Sequence, residues 1–217
     1  MLTPDLTCLL SGERGQLRNI QNLADHVRWL RSRAADPLDS LFGLIDPSRI
    51  GLVGHSAGGA VSFEAAIDLA DAGEAVSAVM LMDAVPWERT VDLAGELQIE
   101  SFASVRSEPS PCNGHGQILD LLNGMSFTTE DVRIVGASHC DPENPTNLLC
   151  KIGCRGSDDL AREAYQELLY AFLYEALAAP DLGATDGFAA IVERLAEDGR
   201  VVSTPVGGRS DIGSTDR

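Results

Sequence analysis

The sequence predicts an α/β fold in which helices cover both faces of a parallel sheet. Short apolar runs typical of strands alternate with stretches of helical periodicity, and this alternation indicates a parallel sheet. Residues 76–82 form a nearly continuous apolar run, as expected for a strand buried on both faces. A glycine-rich turn at residues 54–58 joins a second apolar run to a helical pattern, which adds a further strand-to-helix step.

Each predicted element has a local signal. Apolar residues recur at spacings of three and four between Ile20 and Leu30, which gives the first helix one apolar face. Gly73 suits the position after the second helix, and Ser157 suits the N-cap of the longest one. Helices are predicted over residues 17–35, 58–72, 118–123, 157–179 and 188–198, and strands over residues 49–53, 76–82, 97–105 and 132–135.

The bulk composition is that of an ordinary globular protein. A length of 217 residues with 44% hydrophobic and 23% charged residues predicts one domain with a proper core. We assign that domain to residues 1–200. Residues 201–217 are predicted to form a disordered tail, because the segment is rich in Gly, Ser and Asp.

The charge balance excludes some partners. A net charge of -17 argues against nucleic acid and against anionic membrane surfaces. No apolar run reaches the length of a membrane span, and the first residues show no signal peptide. As the chain stands, the prediction is a cytoplasmic protein. An export signal upstream of the present start would make it a secreted one.

The five cysteines leave several interpretations open. Cys140, Cys150 and Cys154 lie close together in a loop-like stretch, whereas Cys8 and Cys112 are distant in sequence. The cluster fits a disulfide staple, free thiols, or a metal site that also uses His139. Because no C-x-x-C pair is present, the spacing matches no standard zinc pattern, and we predict neither a metal nor a cofactor.

The turn at residues 54–58 has the pattern G-x-S-x-G between a strand and a helix, which is typical of a nucleophile elbow. Such a turn strains the serine backbone and presents Ser56 Oγ at the carboxyl end of the sheet. Gly54 and Gly58 are expected to leave room where a Cβ would clash with neighbouring backbone. The backbone N–H of Ala57 is expected to point toward a developing oxyanion.

A serine nucleophile needs a base, and the chain contains four histidines. His139 directly follows a predicted strand and precedes the longest helix, so we predict that it is the base. The alternative is a loop histidine bonded to a nearby carboxylate such as Asp141. His26 is predicted to lie on a helix surface and His115 in a glycine-rich loop, while His55 should point away from the serine and serve as a packing residue.

Two carboxylates compete to orient that histidine. Asp83 ends the strand after the elbow helix, and Glu108 ends the next strand. Side chains at the carboxyl ends of neighbouring parallel strands can converge, so either acid could reach the imidazole. From the spacing alone both remain open, since both give the order serine, acid, histidine.

The segment from Asp46 to about Leu177 resembles the α/β-hydrolases. It is most similar to the branch that contains platelet-activating-factor acetylhydrolases, chlorophyllases and dienelactone-hydrolase-like proteins. In the first two of these the acid follows the strand after the elbow helix in a Leu-Asp-Ala or Leu-Asp-Pro context, which Met82-Asp83-Ala84 resembles with Met82 as a departure. The resemblance therefore favours Asp83 over Glu108, and it places His139 at the position of the family histidine.

One departure concerns the start of the chain. Relatives of this kind place several strands before the elbow, whereas Ser56 lies early in this sequence, so the resemblance implies an N-terminally truncated hydrolase fold. The source of a second oxyanion donor is then not visible. The sheet would have an open edge, which a homo-oligomer could cover.

Together these features predict a serine carboxylic-ester hydrolase that acts on a small-molecule ester through an acyl-enzyme. Ser56, His139 and Asp83 would form its catalytic triad, with Glu108 as the alternative acid and Ala57 as the oxyanion donor. The competing hypothesis is a non-catalytic hydrolase-like binding domain, or a gene fragment without a complete oxyanion hole.

Overall fold

The computed structural model describes residues 12–143, 148–154, 158–178 and 187–208. Within them lies one five-stranded sheet in the order β1-β2-β3-β4-β5. The first four strands are parallel, and the fifth runs antiparallel to the fourth. The strands are β1 (Gly51–His55), β2 (Ala78–Met82), β3 (Ser101–Arg106), β4 (Thr128–Ile134) and β5 (Val201–Gly207).

Helices pack on both faces of this sheet. The helices are α1 (Gly12–Ala35), α2 (Ala57–Asp71), α3 (Glu88–Asp92), α4 (Ile118–Gly124), α5 (Leu148–Gly153), α6 (Asp159–Leu177) and α7 (Phe188–Glu197). Side chains of α1, α2 and α4 form one apolar core with the sheet, and side chains of α6 and α7 form the other. The predicted fold class, a parallel α/β sheet with helices on both faces, is confirmed. No helix in the described part of the chain is long and apolar enough to cross a membrane.

Burial explains why β2 and α2 are the most apolar elements. All five residues of β2 are buried, because cores lie on both of its faces. Helix α2 packs against both α1 and α3, so its buried set continues around most of its circumference. Even Glu64 of this helix is buried, and it is paired with Arg89 and Thr90 of α3.

Some predicted boundaries differ from the structure. Helix α1 begins at Gly12, and the strand predicted from residue 97 begins at Ser101, because a helical turn at Ala94–Glu96 precedes it. Asp158 is the N-cap of α6 through a hydrogen bond from Ala161 N–H. Ser157, the predicted cap, lies outside the described residues.

The prediction of a disordered tail from residue 201 is wrong for Val201–Gly207. This segment pairs with β4 along its whole length as β5. Val201 is buried against α6 and α7, and Pro205 is tolerated because the strand lies at the edge of the sheet. Local composition suggested a tail, whereas pairing with a distant strand provides the order. Residues 209–217 lie outside the described residues.

Parallel order brings the carboxyl ends of β1 to β4 to one edge of the sheet. Ser56 follows β1, Asp83 follows β2, and His139 follows β4 after a short turn. Strand β1 lies at the opposite margin from β5. Coverage of that margin by a second copy of the chain stays a prediction.

Candidate active site

Ser56 occupies a strained turn between β1 and α2. Its backbone has φ 58° and ψ -132°, a conformation that residues other than glycine rarely adopt. Hydrogen bonds hold it there: Ser56 N–H donates to Met82 O at 3.3 Å, and Ser56 O accepts from the N–H groups of Gly59 and Val85, each at 3.0 Å. The residue as a whole is half-buried.

The glycines around Ser56 differ in what they permit. A Cβ at Gly54 would collide with the backbone of Gly58, as the sequence predicted. A Cβ at Gly59 would collide with Ala84 after β2. At Gly58 a Cβ would meet nothing within 4 Å, so the prediction of a steric requirement there is wrong. The steric requirement for glycine therefore lies at Gly54 and Gly59.

The structure brings His139 between Ser56 and Asp83. His139 Nε2 lies 2.9 Å from Ser56 Oγ, and His139 Nδ1 lies 2.6 Å from Asp83 Oδ2. Side-chain exposure is 8% for His139 and 1% for Asp83. We call these three residues the candidate triad. Asp141, the alternative partner of His139, instead accepts hydrogen bonds from the backbone N–H groups of Ser138 and Asp158.

The surroundings of Asp83 keep it ionised. Its own N–H donates to Val105 O at 2.7 Å, and its carboxylate accepts from the N–H and the hydroxyl of Ser107, each at 2.8 Å. Burial by itself raises the pKa of Asp83, but the hydrogen bonds from His139 and Ser107 outweigh it and lower that pKa below its ordinary value. A charged carboxylate therefore faces the imidazole.

Glu108, the other candidate acid, lies elsewhere. Its carboxylate pairs with Arg133 of β4, and its side chain is 40% exposed. The contact of His139 Nδ1 goes to Asp83. The geometry thus brings together Ser56, His139 and Asp83 and leaves Glu108 in an ion pair.

Residues 17–107 match the family model described as alpha/beta hydrolase fold, and no curated protein matches the chain. The matched stretch runs from α1 to the residue after β3 and includes Ser56 and Asp83. Residues 17–107 are therefore similar to the α/β-hydrolase fold family. The match covers less than half of the chain, and it supports a likeness to that superfamily at its broadest level.

The other three histidines of the chain have different surroundings. The His55 ring lies with its centroid 4.8 Å from that of His139, and His55 Nε2 donates to His139 O at 2.8 Å, so it supports the loop that carries His139. Burial lowers the pKa of His55, and the neighbouring His139 lowers it further. His26 stacks on Trp29 in α1, and His115 is exposed.

Ala57 is the first residue of α2, so its N–H has no partner within the helix. The N-terminal end of a helix also carries partial positive charge. An oxyanion formed at Ser56 would therefore meet a donor and a favourable field.

Sequence reasoning missed Ser107 and Asn113, which contact Asp83 from the segment after β3. Asn113 Nδ2 lies 3.3 Å from Asp83 Oδ1 and 3.0 Å from Ser107 Oγ. For Ser107 the sequence offered one signal, because it is a polar residue directly after a strand, as Asp83 is. Nothing in the spacing indicated that the loop containing Asn113 would fold back onto that carboxylate.

The cysteines form two disulfides in the structure, Cys112–Cys154 and Cys140–Cys150. The predicted staple thus contains Cys140 and Cys150, while Cys154 pairs with the distant Cys112. Three of these sulfurs lie within 4.8 Å of one another, but as disulfides they offer no thiolate to a metal. Cys8 lies outside the described residues.

Proposed function

We propose that this protein is a serine carboxylic-ester hydrolase. One observation carries the proposal: His139 lies within hydrogen-bond distance of both the Ser56 hydroxyl and the buried, ionised Asp83. The strained elbow and the match to the hydrolase fold family support it. This arrangement of nucleophile, base and orienting acid is the one that acyl transfer requires.

In the proposed reaction, Ser56 Oγ attacks the ester carbonyl while His139 Nε2 takes the hydroxyl proton. Asp83 accepts the hydrogen bond from His139 Nδ1 and thereby fixes the tautomer and stabilises the imidazolium. The Ala57 N–H donates to the oxyanion. His139 then protonates the leaving alcohol, which leaves an acyl group on Ser56. Water activated by the same imidazole releases the acid.

The substrate class follows from the resemblance described above. Met82-Asp83-Ala84 resembles the context of the acid in the acetylhydrolase and chlorophyllase branch, with Met82 as a departure, and Ala137-Ser138-His139 resembles the position of its histidine. Within this proposal the substrates are small carboxylic esters of alcohols.

Replacing Ser56 with alanine tests the nucleophile. Hydrolysis of short-chain p-nitrophenyl esters by Ser56→Ala should fall by roughly three to six orders of magnitude, because the acyl-enzyme cannot form. Ser126→Ala removes an exposed serine hydroxyl and should keep wild-type turnover. Equal turnover by Ser56→Ala and wild type would refute the proposed nucleophile.

A fluorophosphonate probe separates this proposal from a non-catalytic binding domain. Covalent labelling of Ser56 in the folded wild-type protein, absent in Ser56→Ala and retained in Ser126→Ala, is expected for a serine hydrolase. A folded protein that neither hydrolyses esters nor reacts with the probe would favour the binding domain instead.

A further inference from the structure

Asn113 is a buried amide that lies behind the candidate triad. It is 4% exposed, and its side chain reaches two loop segments and the acid. Asn113 Oδ1 accepts from Ser110 N–H at 2.7 Å. Asn113 Nδ2 lies 2.9 Å from Glu108 O, 3.0 Å from Ser107 Oγ and 3.3 Å from Asp83 Oδ1.

These partners determine which way the amide points. If the amide were flipped, its nitrogen would face Ser110 N–H, and two donors would meet. Its oxygen would then face Glu108 O, and two acceptors would meet. Asn113 Nδ2 must therefore face Glu108 O and Ser107 Oγ. Its two protons satisfy these two shorter contacts, and Asp83 Oδ1 is a longer third neighbour.

The amide in turn determines the direction of the Ser107 hydroxyl. Ser107 has one hydroxyl proton and two acceptors in reach, Asp83 Oδ2 at 2.8 Å and Glu108 O at 3.3 Å. Because Asn113 already donates to Glu108 O, that carbonyl competes less well for the proton. Asp83 therefore receives it, on the same oxygen that His139 contacts.

We propose that Asn113 is a positioning residue for Asp83, acting through the Ser107 hydroxyl. The inference rests on the proposed function and deepens it. The Asn113 amide directs the Ser107 proton to Asp83 Oδ2, and Asp83 is thereby held in the orientation that receives the His139 Nδ1 proton. Both residues are buried, so in this proposal they act on the acid and not on a substrate.

A disulfide ties the loop that carries Asn113 next to that residue. Cys112 precedes Asn113 and forms a disulfide with Cys154, which follows α5. The residue after His139, Cys140, is joined to Cys150 within the same helix. One short helix thus connects the loop that supports the acid with the loop that carries the base.

Two substitutions at Asn113 test the role. In Asn113→Ala, kcat for p-nitrophenyl ester hydrolysis should fall roughly ten- to a hundredfold while KM changes little, because a buried hydrogen-bond network behind the acid is lost. In Asn113→Asp, an oxygen replaces Nδ2 and opposes Glu108 O and Asp83 Oδ1, so the donor that directs the Ser107 proton is lost. kcat should fall by a similar factor. In Asn113→Ala the acid limb of kcat/KM against pH should also move to lower pH, because a misoriented Asp83 stabilises the imidazolium less.

Asn123→Asp is the matched control, since it adds the same charge at an exposed position of α4. Its pH profile and kcat should match the wild type. All these proteins keep the other titratable groups near Asp83 and His139, which are His55, Asp141 and Tyr165. A loss of kcat in Asn113→Asp but not in Asn123→Asp therefore reports the lost donor at this position and not the added charge.

A double-mutant cycle separates positioning from a general loss of structure. If Asn113 acts through Ser107, then Ser107→Ala combined with Asn113→Ala should lower kcat no further than the more damaging single substitution. Independent effects that multiply would overturn the inference. A Cys112→Ala, Cys154→Ala double variant should lower kcat in the same way as Asn113→Ala, since it frees the neighbouring loop.

The outcomes distinguish two failures. If the folded wild-type protein shows no Ser56-dependent turnover, the proposed function is refuted, and this inference with it. If the wild type is active and the Asn113 variants keep its kcat and pH profile, only the positioning role is overturned.

Discussion

At the scale of single residues, two of the three non-glycine residues with positive φ in the described part of the chain belong to the candidate triad, and the third is His115. Ser56 and Asp83 both have positive φ, 58° and 44°, although neither is a glycine. Each is held by backbone hydrogen bonds to the neighbouring strand, from Ser56 N–H to Met82 O and from Asp83 N–H to Val105 O. The sheet therefore maintains two unfavourable conformations that aim a hydroxyl and a carboxylate at one imidazole.

The glycines of the elbow should respond differently to alanine. Gly59→Ala should lower the free energy of unfolding by about 1–3 kcal/mol, because its Cβ would overlap Ala84 across the strand end. Gly58→Ala should leave stability unchanged or raise it by up to about 1 kcal/mol, since the site is open and helical. Urea unfolding measures both. A larger loss at Gly58 than at Gly59 would contradict this assignment.

At the scale of elements, the structure depends on pairings between distant segments. Strand β5 has little apolar content beyond its valines, yet it pairs with all seven residues of β4. The two disulfides likewise join segments 42 and 10 residues apart. Such contacts cannot be inferred from a local pattern, because composition reports only what a segment can do by itself.

The alternation along β5 gives a matched pair of substitutions. Val201 is 3% exposed and packs in the core with α7, whereas Val202 is 44% exposed. Val201→Ala should destabilise the protein by about 1–3 kcal/mol, because it leaves a cavity. Val202→Ala should stay within about 0.5 kcal/mol of the wild type. Equal effects in urea unfolding would mean that β5 does not pair in this register.

At the scale of the whole molecule, stability should depend on pH through groups that are buried in their less protonated form. His55 is held neutral by burial, and its pKa lies below the ordinary value of 6.5. The pKa of Asp83 is also lowered, from 3.8. For both groups the folded pKa lies below the unfolded one, so their stabilisation is complete above the unfolded pKa and is lost as pH falls through the folded pKa.

The free energy of unfolding should therefore begin to fall as pH drops below about 6.5. A further loss should begin below 3.8, the ordinary pKa of the Asp83 carboxyl. In His55→Gln, an amide N–H replaces the ring N–H as donor, and the new side chain does not titrate. The loss of unfolding free energy below about pH 6.5 should therefore be smaller in this variant. Chemical unfolding between pH 7 and 5 measures the difference. Both proteins carry the same net charge of -17 with histidine counted as neutral, so its effect on the pH dependence of stability is the same in each. Parallel pH dependence of the two proteins would contradict a neutral, buried His55.

Much of the fold could be predicted because it is written in local patterns. The apolar run of β2 predicted a doubly covered strand, and the elbow predicted a strained serine between β1 and α2. The helix periodicities placed most helices within a few residues. Helices α3 and α5 and strand β5 were not predicted. Helix α3 has five residues and α5, in the stretch predicted to be a loop, has six, whereas β5 depends on its neighbours.

The sequence by itself determined the elbow serine, the parallel α/β class and a short list of partners at strand ends, because each rests on contacts between residues near in sequence. The pattern of residues left Asp83 and Glu108 open, a family resemblance favoured Asp83, and the tertiary structure has Asp83 facing His139. The tertiary structure alone decided which cysteines pair and that Ser107 and Asn113 support Asp83. Asp83 and His139 are 56 residues apart, so their meeting depends on strand order and register. Glu108 meets Arg133 for the same reason: β3 and β4 are paired, and their ends bring those two side chains together.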